Sequence, residues 1–196
     1  MNIYIVRHGE TDENKKGNFY GSTNIDLNDE GIKQGEILSK ELKLIEFDYV
    51  FISESKRVKH MTDIILKNKI SNIITDKRLN EIDFGLFEGK NYKELCKLFP
   101  KECESWNNNW KEFQPPKGES YIHFYNRVSE FMKDILKYSC ENVLIVTHSG
   151  VIKSIYCYIL DQNIDLFWRF SSKNGDMSII KYEYEYLFID SIKHIK

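Results

Sequence analysis

Residues 142–160 read NVLIVTHSGVIKSIYCYIL. The apolar run 143–146 predicts a buried strand, Val, Leu and Ile being residues that suit a pleated core position. The run stops on His148-Ser149-Gly150, and apolar residues then continue at helical length to about Leu160. One strand followed at once by one helix is half of a βαβ unit, and the same pattern recurs through the chain.

Residues 2–7, NIYIVR, predict a first strand that ends in Arg7, His8 and Gly9. Asn28-Asp29-Glu30-Gly31 opens a helix to about Leu44, with Ile32, Ile37, Leu38 and Leu42 on one face. Residues 48–53 predict a second strand, 56–67 a helix, and Ile73-Ile74 the centre of a third strand. Residues 90–140 carry helical spacing broken by Gln114-Pro115-Pro116-Lys117-Gly118, and residues 177–184 and 187–192 alternate like a hairpin. The expected architecture is a three-layer α/β/α sandwich. Its central sheet is mostly parallel, with helices on both faces and a helical insertion at about 90–120 lying over the active site. One domain is expected across residues 1–196.

The bulk numbers narrow the function. The 196 residues, 41% hydrophobic, suffice for one core, and a net charge of −2 with mixed signs gives no general attraction to nucleic acid or anionic membrane. Any anion must therefore be bound by a local cluster. Cys96, Cys103, Cys140 and Cys157 form no CxxC pair and have no zinc spacing, so reduced thiols in a cytoplasmic protein are expected. The apolar stretch at 3–6 is too short for a signal peptide or a membrane span.

In open α/β sheets, ligands lie beyond the carboxyl ends of the strands. Four such ends carry unusual residues here. Strand one ends in Arg7-His8-Gly9, strand two leads through Ser53 to Arg57, strand three is followed by Leu79-Asn80-Glu81, and the late strand ends in His148. Two arginines, two histidines and a carboxylate suit a phosphate monoester. Guanidinium forks pair with phosphate oxygens, a neutral histidine can attack phosphorus, and a carboxylic acid can protonate the leaving oxygen. The glycine after His8 is expected to permit a sharp turn and a close backbone approach. No cluster of acidic metal ligands accompanies the set. Each residue taken alone is more often structural; only their shared placement at strand ends argues for chemistry.

Val6-Arg7-His8-Gly9-Glu10-Thr11, with Asn14, resembles the signature of the histidine phosphatase superfamily, the phosphoglycerate mutase-like proteins. Ser53 to Arg57, Leu79-Asn80-Glu81 with Phe84-Gly85 and Glu88-Gly89, and Thr147-His148-Ser149-Gly150 extend the resemblance over nearly the whole chain. It implies that His8 is the nucleophile and that Arg7, Arg57 and His148 form the phosphate pocket. It further implies that Asn14 assists them, Glu81 gives and takes the proton, and Tyr20-Gly21 touch the substrate. Residues 57–62, RVKHMT, depart from the family's usual Arg-Ala-x-x-Thr-Ala but keep Arg57. His60, His123 and His194 match no motif and are expected outside the site.

Within the family, Glu104-Ser105-Trp106 to Trp110, Pro115-Pro116-Lys117-Gly118-Glu119-Ser120 and Phe167-Trp168-Arg169-Phe170 are similar to α-ribazole phosphatases. That resemblance implies a metal-independent, cofactor-free phosphomonoesterase acting on α-ribazole 5′-phosphate in cobalamin assembly. Trp106 and Trp110, one helical turn apart, would either wall the substrate site or anchor the insertion. A broad small-metabolite phosphatase, a phosphoglycerate mutase-like enzyme and a silent phospho-ligand-binding module stay open, as does a homodimer.

Overall fold

The computed structural model describes every residue except Asn68, Ile70 and Lys196. Six strands, β1 (Asn2–Arg7), β2 (Tyr49–Ile52), β3 (Asn72–Thr75), β4 (Asn142–Thr147), β5 (Met177–Glu183) and β6 (Tyr186–Lys193), form one sheet in the order β3-β2-β4-β1-β5-β6. Strands β3, β2, β4 and β1 are mutually parallel; β5 runs antiparallel to β1, and β6 antiparallel to β5. The mostly parallel sheet and its terminal hairpin match the pattern of the sequence.

Both faces of the sheet are covered, which is why its central strands are apolar almost throughout. On one side, Ile3, Ile5, Phe51, Val143 and Ile145 pack with Phe124, Val128 and Phe131 of helix Tyr121–Ile135 and with Val151 and Ile155 of helix Ser149–Ile159. On the other, Val6, Val50, Ile52, Leu144 and Val146 meet Leu38 of helix Asp29–Glu41, Leu42 at its end, and Val58, Met61 and Ile65 of helix Lys56–Leu66.

In chain order the helices are α1 (Asp12–Lys16), α2 (Asp29–Glu41), α3 (Lys56–Leu66), α4 (Tyr92–Leu98), α5 (Pro100–Asn108), α6 (Tyr121–Ile135) and α7 (Ser149–Ile159). Helix α2 stops at Glu41, short of the expected Leu44, which is exposed. Helix α1 was not legible as a helix, being a single turn closed by a capping box between Thr11 and Asn14 and ended by Gly17 in the left-handed region. Helix α5 ends at Asn108 within an asparagine run, so Trp110 does not share a helix with Trp106.

That ending settles how the two tryptophans pack. Trp106 is buried against Phe19, Phe87, Phe113 and Tyr121, while Trp110 packs on Tyr121, Phe167 and Trp168. Both fasten the 92–121 segment to the body of the protein, and neither lines the cavity described below.

Candidate active site

Strand β1 carries Arg7 and His8 to the carboxyl edge of the sheet, where the His8 amide donates to the Thr147 carbonyl at 2.9 Å. Gly9 then passes so close to α2 that a Cβ would lie 2.4 Å from the Gly31 carbonyl oxygen. Close approach, and no left-handed turn, is what requires glycine there.

Arg7, His8, Asn14, Tyr20, Arg57 and Glu81 line one small cavity of about 110 Å³, together with Asn18, Phe19 and Phe84. His148 and Gly21 stand beside it, in the wall of a neighbouring polar cleft of about 610 Å³ that Glu81 also lines. Six of the eight expected residues thus share the small cavity, and the other two line the cleft beside it.

The hydrogen bonds of His8 assign its tautomer. Nδ1 lies 2.7 Å from the Gly9 carbonyl oxygen. A carbonyl only accepts, so Nδ1 carries the proton and Nε2 keeps its lone pair. The ring is 3% exposed. Burial first, then the charges of Arg57 and Arg7, hold its pKa well below the ordinary histidine range. The imidazole is therefore neutral at physiological pH.

His148 is arranged in the opposite sense. Its Nδ1 accepts from Arg57 Nη2 at 3.3 Å, since a guanidinium has no acceptor. Its Nε2 therefore carries the proton, 2.8 Å from Ser53 Oγ, which in turn lies 3.0 Å from Ser55 Oγ. The two imidazoles meet edge to face with centroids 5.1 Å apart. Burial and then Arg57 and His8 depress the His148 pKa too.

Arg57 is fully buried on α3, donating to the carbonyls of Thr23 and Gly21 at 3.0 Å each, with its guanidinium over the Tyr20 ring at 4.8 Å. Arg7 donates to the Ser172 carbonyl. Burial lowers both guanidinium pKa values, and neither side chain is in an ion pair among the described residues. The Nε atoms of both are buried without a hydrogen-bond partner. Two buried cations outside any ion pair among the described residues, both lining one cavity, form a site for a dianion.

Two further residues are placed by helix starts. The Asn14 side-chain oxygen accepts from the Thr11 amide and hydroxyl and from Asn174 Nδ2 at 2.9 Å, which leaves its amide nitrogen to the cavity. Glu81 accepts from the amides of Ile82 (3.0 Å) and Gly150 (3.1 Å), the latter in the first turn of α7. A Cβ on Gly150 would lie 2.3 Å from Glu81 Oε1, so glycine is needed for the carboxylate to reach that turn.

The loop 172–176 was not anticipated. Asn174 Nδ2 donates to the His8 and Gly9 carbonyls at 3.2 Å, and the Asp176 carbonyl accepts from the Arg7 amide at 3.0 Å. Because β5 runs antiparallel to β1, the loop entering β5 arrives where β1 ends. Asn174-Gly175-Asp176 was a visible turn signal; its destination was not. Glu88, noted above only as part of the resemblance, also supports the site. It accepts five hydrogen bonds from Gly21, Ser22 and Thr23, fixing the loop whose carbonyls hold Arg57. His60 and His194 lie outside the site, facing Asp26 and Asp176. No group of three or more His, Cys, Asp or Glu residues able to hold a metal ion occurs among the described residues.

This fold and this site define a class. The profile described as histidine phosphatase superfamily (branch 1) matches residues 3–194, and the chain belongs to that family. Its members of known name make it a phosphoric monoester hydrolase. The chain is 30% identical over 181 residues to the adenosylcobalamin/alpha-ribazole phosphatase of Salmonella typhimurium, covering 92% of this chain and 90% of that protein. It is 29% identical over 184 residues to phosphoserine phosphatase 1 of Hydrogenobacter thermophilus, covering 93% and 87%. The crystal structure of the alpha-ribazole phosphatase of Shigella flexneri superposes with a TM-score of 0.92 at 28% identity, covering 96% and 94%.

Proposed function

We propose that the protein hydrolyses a small phosphate monoester through a phosphohistidine at His8, without a metal, and that α-ribazole 5′-phosphate is its substrate. The observation that carries the first part is the tautomer of His8: Nδ1–H is committed to the Gly9 carbonyl, so Nε2 is the nucleophilic atom. In the first step the Nε2 lone pair forms the N–P bond as the ester P–O bond breaks, and the leaving oxygen takes a proton from Glu81. The charges of Arg7 and Arg57 and the Asn14 amide offset the negative charge on the phosphoryl oxygens. In the second step water attacks phosphorus, Glu81 takes its proton, and inorganic phosphate leaves a neutral His8.

The small cavity supports, through the aromatic part of its lining, an aromatic nucleoside-like leaving group. Phe19 and Phe84, centroids 5.1 Å apart, line it with Tyr20 and Asn18, and no charged side chain stands among these four. Phosphoserine, named by a relative of equal similarity, is the competing substrate, since the adjoining cleft that Glu81 lines also carries Lys77, Arg78, Glu54 and Asp83.

The test is a hydrolysis panel of α-ribazole 5′-phosphate, phosphoserine, 3-phosphoglycerate and p-nitrophenyl phosphate, run with and without EDTA. The expected result is highest kcat/KM on α-ribazole 5′-phosphate, unaffected by chelator, with acid-labile label on His8. Preference for phosphoserine would overturn the substrate, and EDTA sensitivity reversed by magnesium would overturn the mechanism.

A further inference from the structure

Residues 80–84, which carry Glu81, belong to no helix or strand. Their backbone must therefore be held by something other than a ladder. Helix α6 supplies it. Arg127 Nη1 donates to the carbonyls of Arg78 and Asn80 at 2.8 Å each, and Nη2 donates to the Glu81 carbonyl at 3.1 Å. The Leu79 carbonyl between them is taken by Thr147 Oγ1 at 2.8 Å. Four consecutive carbonyls, 78 to 81, are thus each claimed by a side chain from α6 or β4. The guanidinium is itself fixed by a two-pronged pair with Glu119, at 2.8 and 2.9 Å, and lies 4.7 Å over the Phe124 ring.

We infer that Arg127, locked by Glu119, is a positioning residue that sets where the Glu81 carboxyl stands, and through it the efficiency of proton transfer to the leaving group. The inference rests on the role proposed above for Glu81. Arg127 lines the larger cleft beside Glu81 but not the small cavity that would hold the phosphate, and its guanidinium is occupied by the backbone beneath Glu81 and by Glu119. A displaced carboxyl loses proton transfer before it loses binding, since general acids work only within hydrogen-bond reach.

The test reads the leaving-group dependence of kcat/KM over ring-substituted phenyl phosphates, with phosphate binding followed separately. Glu81→Gln should steepen that dependence strongly, as the better leaving groups need least protonation. Arg127→Ala should steepen it in the same direction, with about a tenfold to hundredfold loss on phenyl phosphate, part of the ~10²–10⁴ that a general acid supplies. On p-nitrophenyl phosphate the loss should stay within about threefold, with the Kd for inorganic phosphate little changed and added guanidinium ion restoring the wild-type slope. Arg127→Lys should fail to rescue, since one ammonium cannot span three carbonyls. Glu119→Gln, which leaves Arg127 in place and removes the carboxylate that locks it, should show a smaller steepening and decides the matter if Arg127→Ala does not fold. Steepening in Glu81→Gln with wild-type slopes in the folded Arg127 and Glu119 variants would overturn this inference alone. An unchanged slope in Glu81→Gln would overturn the role of Glu81 and this inference together.

Discussion

The carboxyl ends of β1 and β4 lie side by side, Arg7 opposite Thr147, and each strand delivers a buried histidine to the same place. The two imidazoles are held in opposite tautomers. Past β1 the nearest partner of Nδ1 is a carbonyl, which forces a proton onto it. Past β4 the partner of Nδ1 is a guanidinium, which forbids one. Equivalent strand ends therefore yield one ring with a free nucleophilic nitrogen and one whose two nitrogens are both committed. What separates them is the hydrogen-bonding character of a single neighbour.

The most severe way to break this comparison is to remove each ring in turn. His8→Ala should lower turnover on the order of 10⁴-fold or more, as loss of a nucleophile does, and eliminate acid-labile labelling by substrate. His148→Ala should cost about tenfold to hundredfold, the scale of one charge-assisted hydrogen bond at ~1.5–3 kcal/mol, and should still label His8. Labelling that survives His8→Ala and vanishes in His148→Ala would reverse the assignment.

A milder change tests the guanidinium that sets the second tautomer. Arg57→Lys keeps the charge and loses the planar fork that reaches the Gly21 and Thr23 carbonyls and His148 together. A loss in kcat/KM of about tenfold is expected, with His148 free to change tautomer. Nitrogen-15 NMR of the wild-type imidazoles should show Nδ1–H on His8 and Nε2–H on His148, and a disturbed pattern for His148 alone in the variant. Matching tautomers in the wild type would remove the contrast.

The smallest effect is on stability. Both folded-state pKa values lie below the unfolded histidine value of about 6.5, so below that pH the unfolded chain binds protons that the folded chain refuses. Stability should therefore fall as pH drops from about 6.5 toward the folded pKa values, and be flat in this respect above. The contribution is about 1.4 kcal/mol per pH unit for each histidine. Urea denaturation of His8→Gln and His148→Gln across this range should each remove one such share of the slope. The same depression should keep His8 nucleophilic, and the acid limb of kcat/KM displaced, below the ordinary histidine range.

Much of this was legible in the sequence for a physical reason. Strands and core helices announce themselves by local periodicity, and the strand-end residues Arg7, His8, Arg57, Glu81 and His148 stand at the ends of those periods. The supporting residues have no such signal. Asn174 matters because β5 is antiparallel to β1, Glu88 because three amides of a distant loop turn toward it, and Arg127 because α6 lies under an irregular segment. Each is a relation between segments far apart in the chain, invisible until the sheet order is fixed. Of the two reasons expected for Gly9, the close approach holds, to the backbone of Gly31, and the left-handed turn does not. The tryptophans anchor the insertion, one of the two roles expected of them, but the helical spacing assumed between them stops at Asn107-Asn108-Asn109.

The unspent Nε atoms of Arg7 and Arg57 carry a thermodynamic consequence. Arg7 and Arg57 repel each other in a buried cavity where Glu81 is the one carboxylate among the described lining residues, and a dianion that enters relieves that repulsion. Inorganic phosphate, the product, is such a dianion, and a ligand bound only by the folded chain stabilises it by RT ln(1 + [L]/Kd), about 2.7 kcal/mol at a hundred times Kd. Product inhibition and thermal protection by phosphate should then share one origin, and a melting temperature unmoved by added phosphate would break the link.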